Sequence, residues 1–236
     1  MGRTPVSDDD VLDEEDFDDL PTPTQRVWLP PPGDGTQVCA GFDGSENHDL
    51  TAIRLETRGG FQFTPRWPDG QPMIWNPANF GGWIPRAQVH DAWEIIAERY
   101  KLQRVYCDPG FSDAEDRTSW ITEIDTWAQK FGEDVFVSWQ MSGSRRVPAV
   151  HAALVRFESD LRTRALTHDG CPITTAHVAN CRRLAKPGDR YILGKPNQTQ
   201  KIDAAVTSVL CHEATCDMRA AGWEDEVDTR VFFFRR

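Results

Sequence analysis

Asp43, Asp108 and Asp203 each stand where an apolar stretch meets a turn or the start of a helix. Taken one at a time, each has a plain explanation. Asp43 precedes Gly44 and Asp108 precedes Pro109, and aspartate at a strand-to-loop corner is ordinary turn chemistry. Asp203 could complement the positive end of a helix starting near Gln200. That helix is nevertheless unusual, because residues 202–211 are apolar or small around nearly the whole circumference. Such a helix is buried, and a lone carboxylate on it is expensive unless a cation or hydrogen bonds satisfy it. Lys195 or Lys201 could be that cation, and so could a metal ion shared with Asp43 and Asp108. Aspartates gathered in one place hold two divalent ions about 3.5–4 Å apart, the arrangement that hydrolyses phosphodiesters. Mg²⁺ and Mn²⁺ favour such oxygen ligands. Asp49, a little after Asp43 in the chain, is a candidate fourth ligand or outer carboxylate.

The surrounding pattern predicts elements able to bring these acids together. Val38 to Phe42 is a continuous apolar run, the mark of a strand covered on both faces. Leu50 to Leu55 reads as the returning strand, and Phe61 to Thr64 alternates and completes an antiparallel meander. After a proline- and tryptophan-rich loop over about residues 65–84, Pro85 opens a helix striped by Val89, Trp93, Ile96, Ala97 and Tyr100. Val105 to Cys107 is a fourth strand. Trp120, Ile124, Trp127 and Phe131 stripe a second helix, Val135 to Val137 is a fifth strand, and Val150, Leu154, Phe157 and Leu161 stripe a third helix. The first helix is long enough for a crossover, so the first and fourth strands can lie parallel with their carboxyl ends on one edge. Open sheets bind ligands at that edge. Asp43 and Asp108 terminate those two strands.

Specific motifs carry a resemblance. Gly41-Phe42-Asp43-Gly44-Ser45 followed by Asp49-Leu50-Thr51-Ala52 resembles the opening strand of phage terminase large-subunit nuclease domains. Cys107-Asp108-Pro109 resembles their second acidic motif. Leu166 to Gly170, His177 to Asn180, Lys195-Pro196 and Lys201 to Val206 resemble the closing part. The likeness runs from about residue 36 to 218, and it is specific in the order and separation of its motifs. It implies an α/β, RNase H-like mixed sheet flanked by helices, and a metal-dependent endonuclease that cuts concatemeric double-stranded viral DNA during genome packaging. Asp43, Asp108 and Asp203 match its core metal ligands, and Asp49 an accessory one. On this reading Asp43 bridges both Mg²⁺ or Mn²⁺ ions, with Asp108 and Asp203 each completing one site. Small terminase, portal and a packaging ATPase are the implied partners. The GxxxxGK[ST] loop of an ATPase motor is absent from this sequence, so translocation is expected from another polypeptide or another part of the protein.

Charge supports a nucleic-acid partner once its distribution is considered. The formal net charge is −11, but nine of the 37 acids fall in residues 1–20 against the single Arg3. Between Arg145 and Lys201 the sign reverses, with eleven bases facing four acids. Such an excess suits phosphate neutralisation, although solvated helix faces have the same composition. Arg145, Arg146, Arg182, Arg183, Lys195 and Lys201 are the candidate DNA contacts.

Residues 1–35, acidic and then proline-rich, read as a disordered tail or linker, 36–220 as the nuclease domain, and 221–236 as a C-terminal tail. Val231 to Phe234 could pack on the domain or dock a partner. The six cysteines form no CxxC pair, and no apolar run reaches the roughly 20 residues of a membrane span. The expectation is a reducing host cytoplasm, with no secretion and no membrane. His48 and His168 could lie near the metals, and His177 with Asn180 could contact DNA or brace the Asp203 helix. Two rivals stay open: a junction-resolving nuclease on the same fold, and a non-catalytic docking module between packaging motor and portal.

Overall fold

The structure, a computed structural model, describes residues 27–45, 49–110, 119–197 and 199–223. The acidic block, His48 and the Val231 to Phe234 segment lie outside these residues.

A mixed sheet forms the centre. Its strands are β1 (Gln37–Asp43), β2 (Thr51–Thr57), β3 (Phe61–Phe63), β4 (Ile74–Trp75), β5 (Lys101–Asp108), β6 (Phe136–Ser138) and β7 (Thr167–His168). The order is β6-β5-β1-β2-β3-β7, with β4 paired to β2. The expected meander is present, since β1–β2 and β2–β3 are antiparallel. So is the expected crossover: β1 and β5 are parallel neighbours, joined through α1 (Arg86–Arg99). Their register sets Asp43 opposite Asp108, with neighbouring strands about 4.8 Å apart. The remaining helices are α2 (Ile121–Phe131), α3 (Val147–Arg162), α4 (Pro172–Ala179) and α5 (Asp203–Ala220).

The period of two along a strand sorts β1 onto two cores. Val38, Ala40 and Phe42 face α1 and α2, where Phe42 meets the rings of Trp93, Trp120 and Trp127 edge-on at 5.1–6.2 Å. All of these rings are buried, and each such side chain contributes roughly 1.5–3 kcal/mol. Cys39 faces the other way, onto Leu210 and Ala214 of α5. Gly41 follows it on that face, and α5 comes so close that a Cβ there would sit 2.2 Å from the Thr207 carbonyl oxygen. Asp43 is next in the same alternation. On β5, Tyr106 shares the α5 core while Val105 and Cys107 join the aromatic one, so Asp108 also belongs to the α5 face.

The fold departs from expectation in several places, among them β4 inside the expected loop, and β7 and α4 after the third expected helix. Residues 27–35 are fastened to the domain: the Trp28 indole donates to Asp169 Oδ2 (2.9 Å) beneath the Arg66 guanidinium, and Gly35 N donates to the Arg99 carbonyl (2.6 Å). The tail reading therefore fails for this stretch, because its one tryptophan has a buried carboxylate to reach. Past residue 220, Trp223 is buried and its indole donates to Gln37 Oε1 (2.7 Å). Finally, residues 182–194 form a two-stranded hairpin, β8 (Arg182–Lys186) and β9 (Arg190–Gly194), separate from the main sheet. Sequence periodicity gives no sign of it, because β8 is mostly exposed and charged.

Candidate active site

α5 starts at Asp203, whose charge acts on Asp43 at the end of β1, as does that of Asp108, the β5 residue set opposite Asp43. Asp108 and Asp203 are 7% exposed. Burial raises all three carboxyls. For Asp43 the push is strong and is reinforced by Asp108, Asp203 and Asp49; Asp108 and Asp203 are each pushed up to about 6. The electrostatics thus couple side chains from three distant parts of the sequence.

Each acid has some support, yet the set is short of positive charge. Asp108 accepts from the Gly110 amide (3.1 Å) and the Met141 amide (3.3 Å). Asp203 is held by a backbone hydrogen bond from Leu50, but its Oδ2 is buried without a hydrogen-bond partner. An orphaned buried carboxylate oxygen pressed on by a neighbouring carboxylate is costly in the ionised state, and a cation would offset that cost. The donors are all carboxylate oxygens, the kind that divalent ions such as Mg²⁺ take.

Asp49 sits at the rim in a different state. It accepts from Lys195 Nζ (2.7 Å) and Lys201 Nζ (2.8 Å) on the same oxygen. Burial raises its carboxyl, but the two lysines outweigh this and hold it below the usual range. The lysines expected on DNA are thus engaged with Asp49. Their cationic ends also lie close enough to the acids to lower Asp43 and Asp203 through Lys195.

The remaining motif residues position the site. His177 Nδ1 accepts from the Ala204 amide (3.0 Å), one of the free donors at the start of α5. Asn180 Nδ2 donates to the Lys201 carbonyl (2.9 Å), and Gln200 Nε2 donates to Asn180 Oδ1 (3.3 Å). The bracing alternative accounts for both residues. Burial, helped by Lys201, lowers the His177 pKa to about 4 from 6.5, so the ring stays neutral and able to accept. The sign of the linkage follows: below pH 6.5 the unfolded chain takes up a proton that the native ring refuses, so stability falls with pH until about 4. Urea midpoints measured across that window should drop more steeply for the parent than for His177→Ala; parallel curves would contradict the bond.

Asp169 and His168 lie elsewhere. β7 is three strands from β1, and Asp169 forms a buried pair with Arg54 (3.1 Å) while accepting from the Thr64 amide (2.8 Å). His168 Nδ1 accepts from the Gly170 amide. Asp169 is a structural hub, not a fourth acid of the site.

Of the expected DNA contacts, Arg145 is exposed, and Arg146 stacks on Trp139 (4.4 Å) close enough to Asp108 to lower its carboxyl. Arg182 donates to the carbonyls of Ala179 and Cys181. Arg183 pairs with Glu158 and lies over Tyr191. The unforeseen hairpin adds Lys186 and Arg190, which line a cleft of about 390 Å³ with residues 141–144. Lys186-Pro187-Gly188-Asp189-Arg190 is the turn signal that could have revealed it.

Compared with known protein families, the chain matches none. The Gene 13 protein of Mycobacterium phage D29 is 27% identical over 200 residues, a match covering 80% of this chain and 31% of that protein. The chain thus spans about a third of the relative's length. In structure it is similar to the large terminase of bacteriophage HK97, with a TM-score of 0.56 and 17% identity over 78% of this chain and 40% of the other. It is also similar to the large terminase nuclease of thermophilic phage G20c with bound magnesium, with a TM-score of 0.55 and 14% identity over 79% and 92% of the two chains. The fold is that of phage large-terminase nuclease domains. No helix among the described residues is long and apolar enough to cross a membrane.

Proposed function

We propose that this chain is the nuclease part of a phage large terminase, a metal-dependent endonuclease that cuts concatemeric double-stranded viral DNA during packaging. The observation that carries the reading is the carboxylate charge that Asp108, Asp203 and Asp49 bring to bear on Asp43, with Asp203 Oδ2 left unpartnered. The magnesium-bound G20c nuclease, with the same fold, supports it.

Asp43, Asp108 and Asp203 would hold two Mg²⁺ or Mn²⁺ ions, with Asp43 shared and Asp49 accessory. When bound, such ions supply a water acidic enough to attack and neutralise charge on the scissile phosphate. The chain's own part is to orient the carboxylates. The β1–β5 register fixes Asp43 and Asp108, the Gly110 and Met141 amides aim Asp108, and His177 anchors the first turn of α5 beneath Asp203. Lys195 and Lys201 keep Asp49 charged and lend positive charge at the rim where a phosphate backbone would approach. Arg145, Arg146 and the hairpin bases extend that charge, so binding would track the backbone rather than read bases and would weaken with salt. Terminase motor, small terminase and portal are the proposed partners, and the cytoplasm of an infected host the proposed setting.

The test is cleavage of supercoiled and linear duplex by the purified chain in Mn²⁺, in Mg²⁺ and with chelator, beside a four-way junction of equal length. Metal-dependent cutting of both duplexes without preference for the junction is expected. Strong preference for the junction favours a resolvase, and no cutting in either metal favours the docking module.

A further inference from the structure

Away from the aspartates, α5 carries a second group of chemistry-bearing side chains that cleavage does not use. We propose that Asp160, His212 and Cys216 form a zinc site that ties α3 to α5. His212 and Cys216 are four apart and so share one helix face, and Asp160 reaches them from α3. His212 Nε2, an Asp160 carboxylate oxygen and Cys216 Sγ all lie within 4.8 Å of one another. Nε2 is 3.0 Å from Asp160 Oδ2 and 3.5 Å from Sγ. Tetrahedral zinc, with bonds of about 2.0–2.3 Å, sets its ligand atoms roughly 3.3–3.8 Å apart, so small adjustments suffice.

The orientation of the ring is a separate observation pointing to the same use. Glu56 on β2 is wholly buried and lies 3.1 Å from His212 Nδ1. It is itself held by Gln62 Nε2 (2.9 Å), with Arg219 3.7 Å away. A carboxylate on one ring nitrogen fixes the tautomer and presents the other nitrogen to a metal, the usual outer support of a zinc-bound histidine. The ring of Phe157 packs against His212 edge-on at 5.8 Å, closing the apolar side. Asp160 and Cys216 are only partly buried, which leaves an entry path and a fourth position for water. A thiolate, an imidazole and a carboxylate select a borderline-soft ion over magnesium.

Without metal the same groups share protons. Burial disfavours a charged ring, yet hydrogen bonds with Cys216 and Glu56 outweigh it and push His212 up to about 10. Zinc would therefore displace one proton from Nε2 and one from the Cys216 thiol, and both would leave to solvent. The ion would fix α3 against the helix that also delivers Asp203. It binds about nine residues, roughly 14 Å, further along α5 and is independent of the cleavage reading.

The experiment titrates the full chain with Zn²⁺ alone, and separately with Co²⁺ alone as a spectroscopic stand-in. The parent should bind zinc and show a thiolate-to-cobalt charge-transfer band. Cys216→Ser should lose that band and weaken zinc binding at least ~10-fold. Cys181→Ser and Asp43→Asn should keep the charge-transfer band. If Cys216→Ser does not fold, Asp160→Asn provides the same comparison, with at least ~10-fold weaker zinc binding expected. Absence of the band in the parent, its survival in Cys216→Ser, zinc affinity unchanged in Asp160→Asn, or loss of the band with Asp43→Asn would each overturn the site and leave a proton-sharing network.

Discussion

Asp43→Asn should lower cleavage at least roughly 10³-fold and, without added metal, make the protein more stable. The two effects have one origin. Asp43 is the carboxylate on which the other acids bear most heavily, with burial, Asp108, Asp203 and Asp49 all opposing its charge. Asparagine keeps the shape but offers one neutral oxygen and an amide. It cannot be shared between cations, and losing several kcal/mol of transition-state stabilisation corresponds to about three decades of rate. In the unliganded protein the same change removes a carboxylate from a crowded set. The sign of the pH effect follows from the raised native pKa. The parent's carboxyl is tolerated while protonated, below the ordinary value of 3.8, and that advantage is lost as pH rises through the native pKa. The variant's gain in thermal midpoint should thus be small near pH 4 and larger near pH 8. A variant that still cuts, or that is less stable than the parent at pH 8 in chelator, would contradict the role given to Asp43.

Gly41→Ala should cost about 3 kcal/mol or more, an effect of strand-to-helix packing rather than of chemistry. The added methyl would meet the Thr207 carbonyl oxygen at 2.2 Å and the Cys211 nitrogen at 2.6 Å, both backbone atoms of α5. No rotamer relieves such a clash, so helix and sheet must separate. Overpacking of this kind costs about 1–3 kcal/mol and at times more. For a domain of this size the midpoint should fall by roughly 6–12 °C. Cleavage should fall with it even below the transition, because Asp203 moves with α5. Gly33→Ala is the control, since nothing lies within 4 Å of its new atom. Thermal unfolding of both variants decides, and a Gly41→Ala midpoint equal to that of Gly33→Ala would show that α5 can retreat freely.

Gly41 also shows what the sequence could and could not reveal. Its position inside the run Val38 to Phe42 marks a strand covered on both faces, and that much was readable. The identity of the cover was not, since α5 lies more than 150 residues further along and only the fold makes them neighbours. The parallel pairing of β1 with β5 was legible because a long amphipathic helix separates two apolar runs that end in aspartate. Asp203 stood out for the opposite reason: it is a charge at the head of a stretch, residues 202–211, that is otherwise apolar or small. Asp49 was seen as an acid near the site, but its two lysines could not be assigned to it from spacing alone. The β8–β9 hairpin escaped because solvent-exposed strands rich in arginine have no apolar alternation to betray them. Trp28 escaped because it stands just before the run Pro30 to Pro32, and its partner Asp169 lies far along the chain. The Asp160, His212 and Cys216 group escaped because two of its members sit on one helix and the third on another, in no recognised ligand spacing.

Crystals of the chain soaked in Mn²⁺ and measured for anomalous scattering would test the central claim most directly. Two peaks within bonding distance of the Asp43, Asp108 and Asp203 carboxylates are predicted, one of them touching Asp203 Oδ2, and both lost in Asp43→Asn. Clear density for those three side chains with no anomalous signal between them would contradict a metal-held hydrolytic centre.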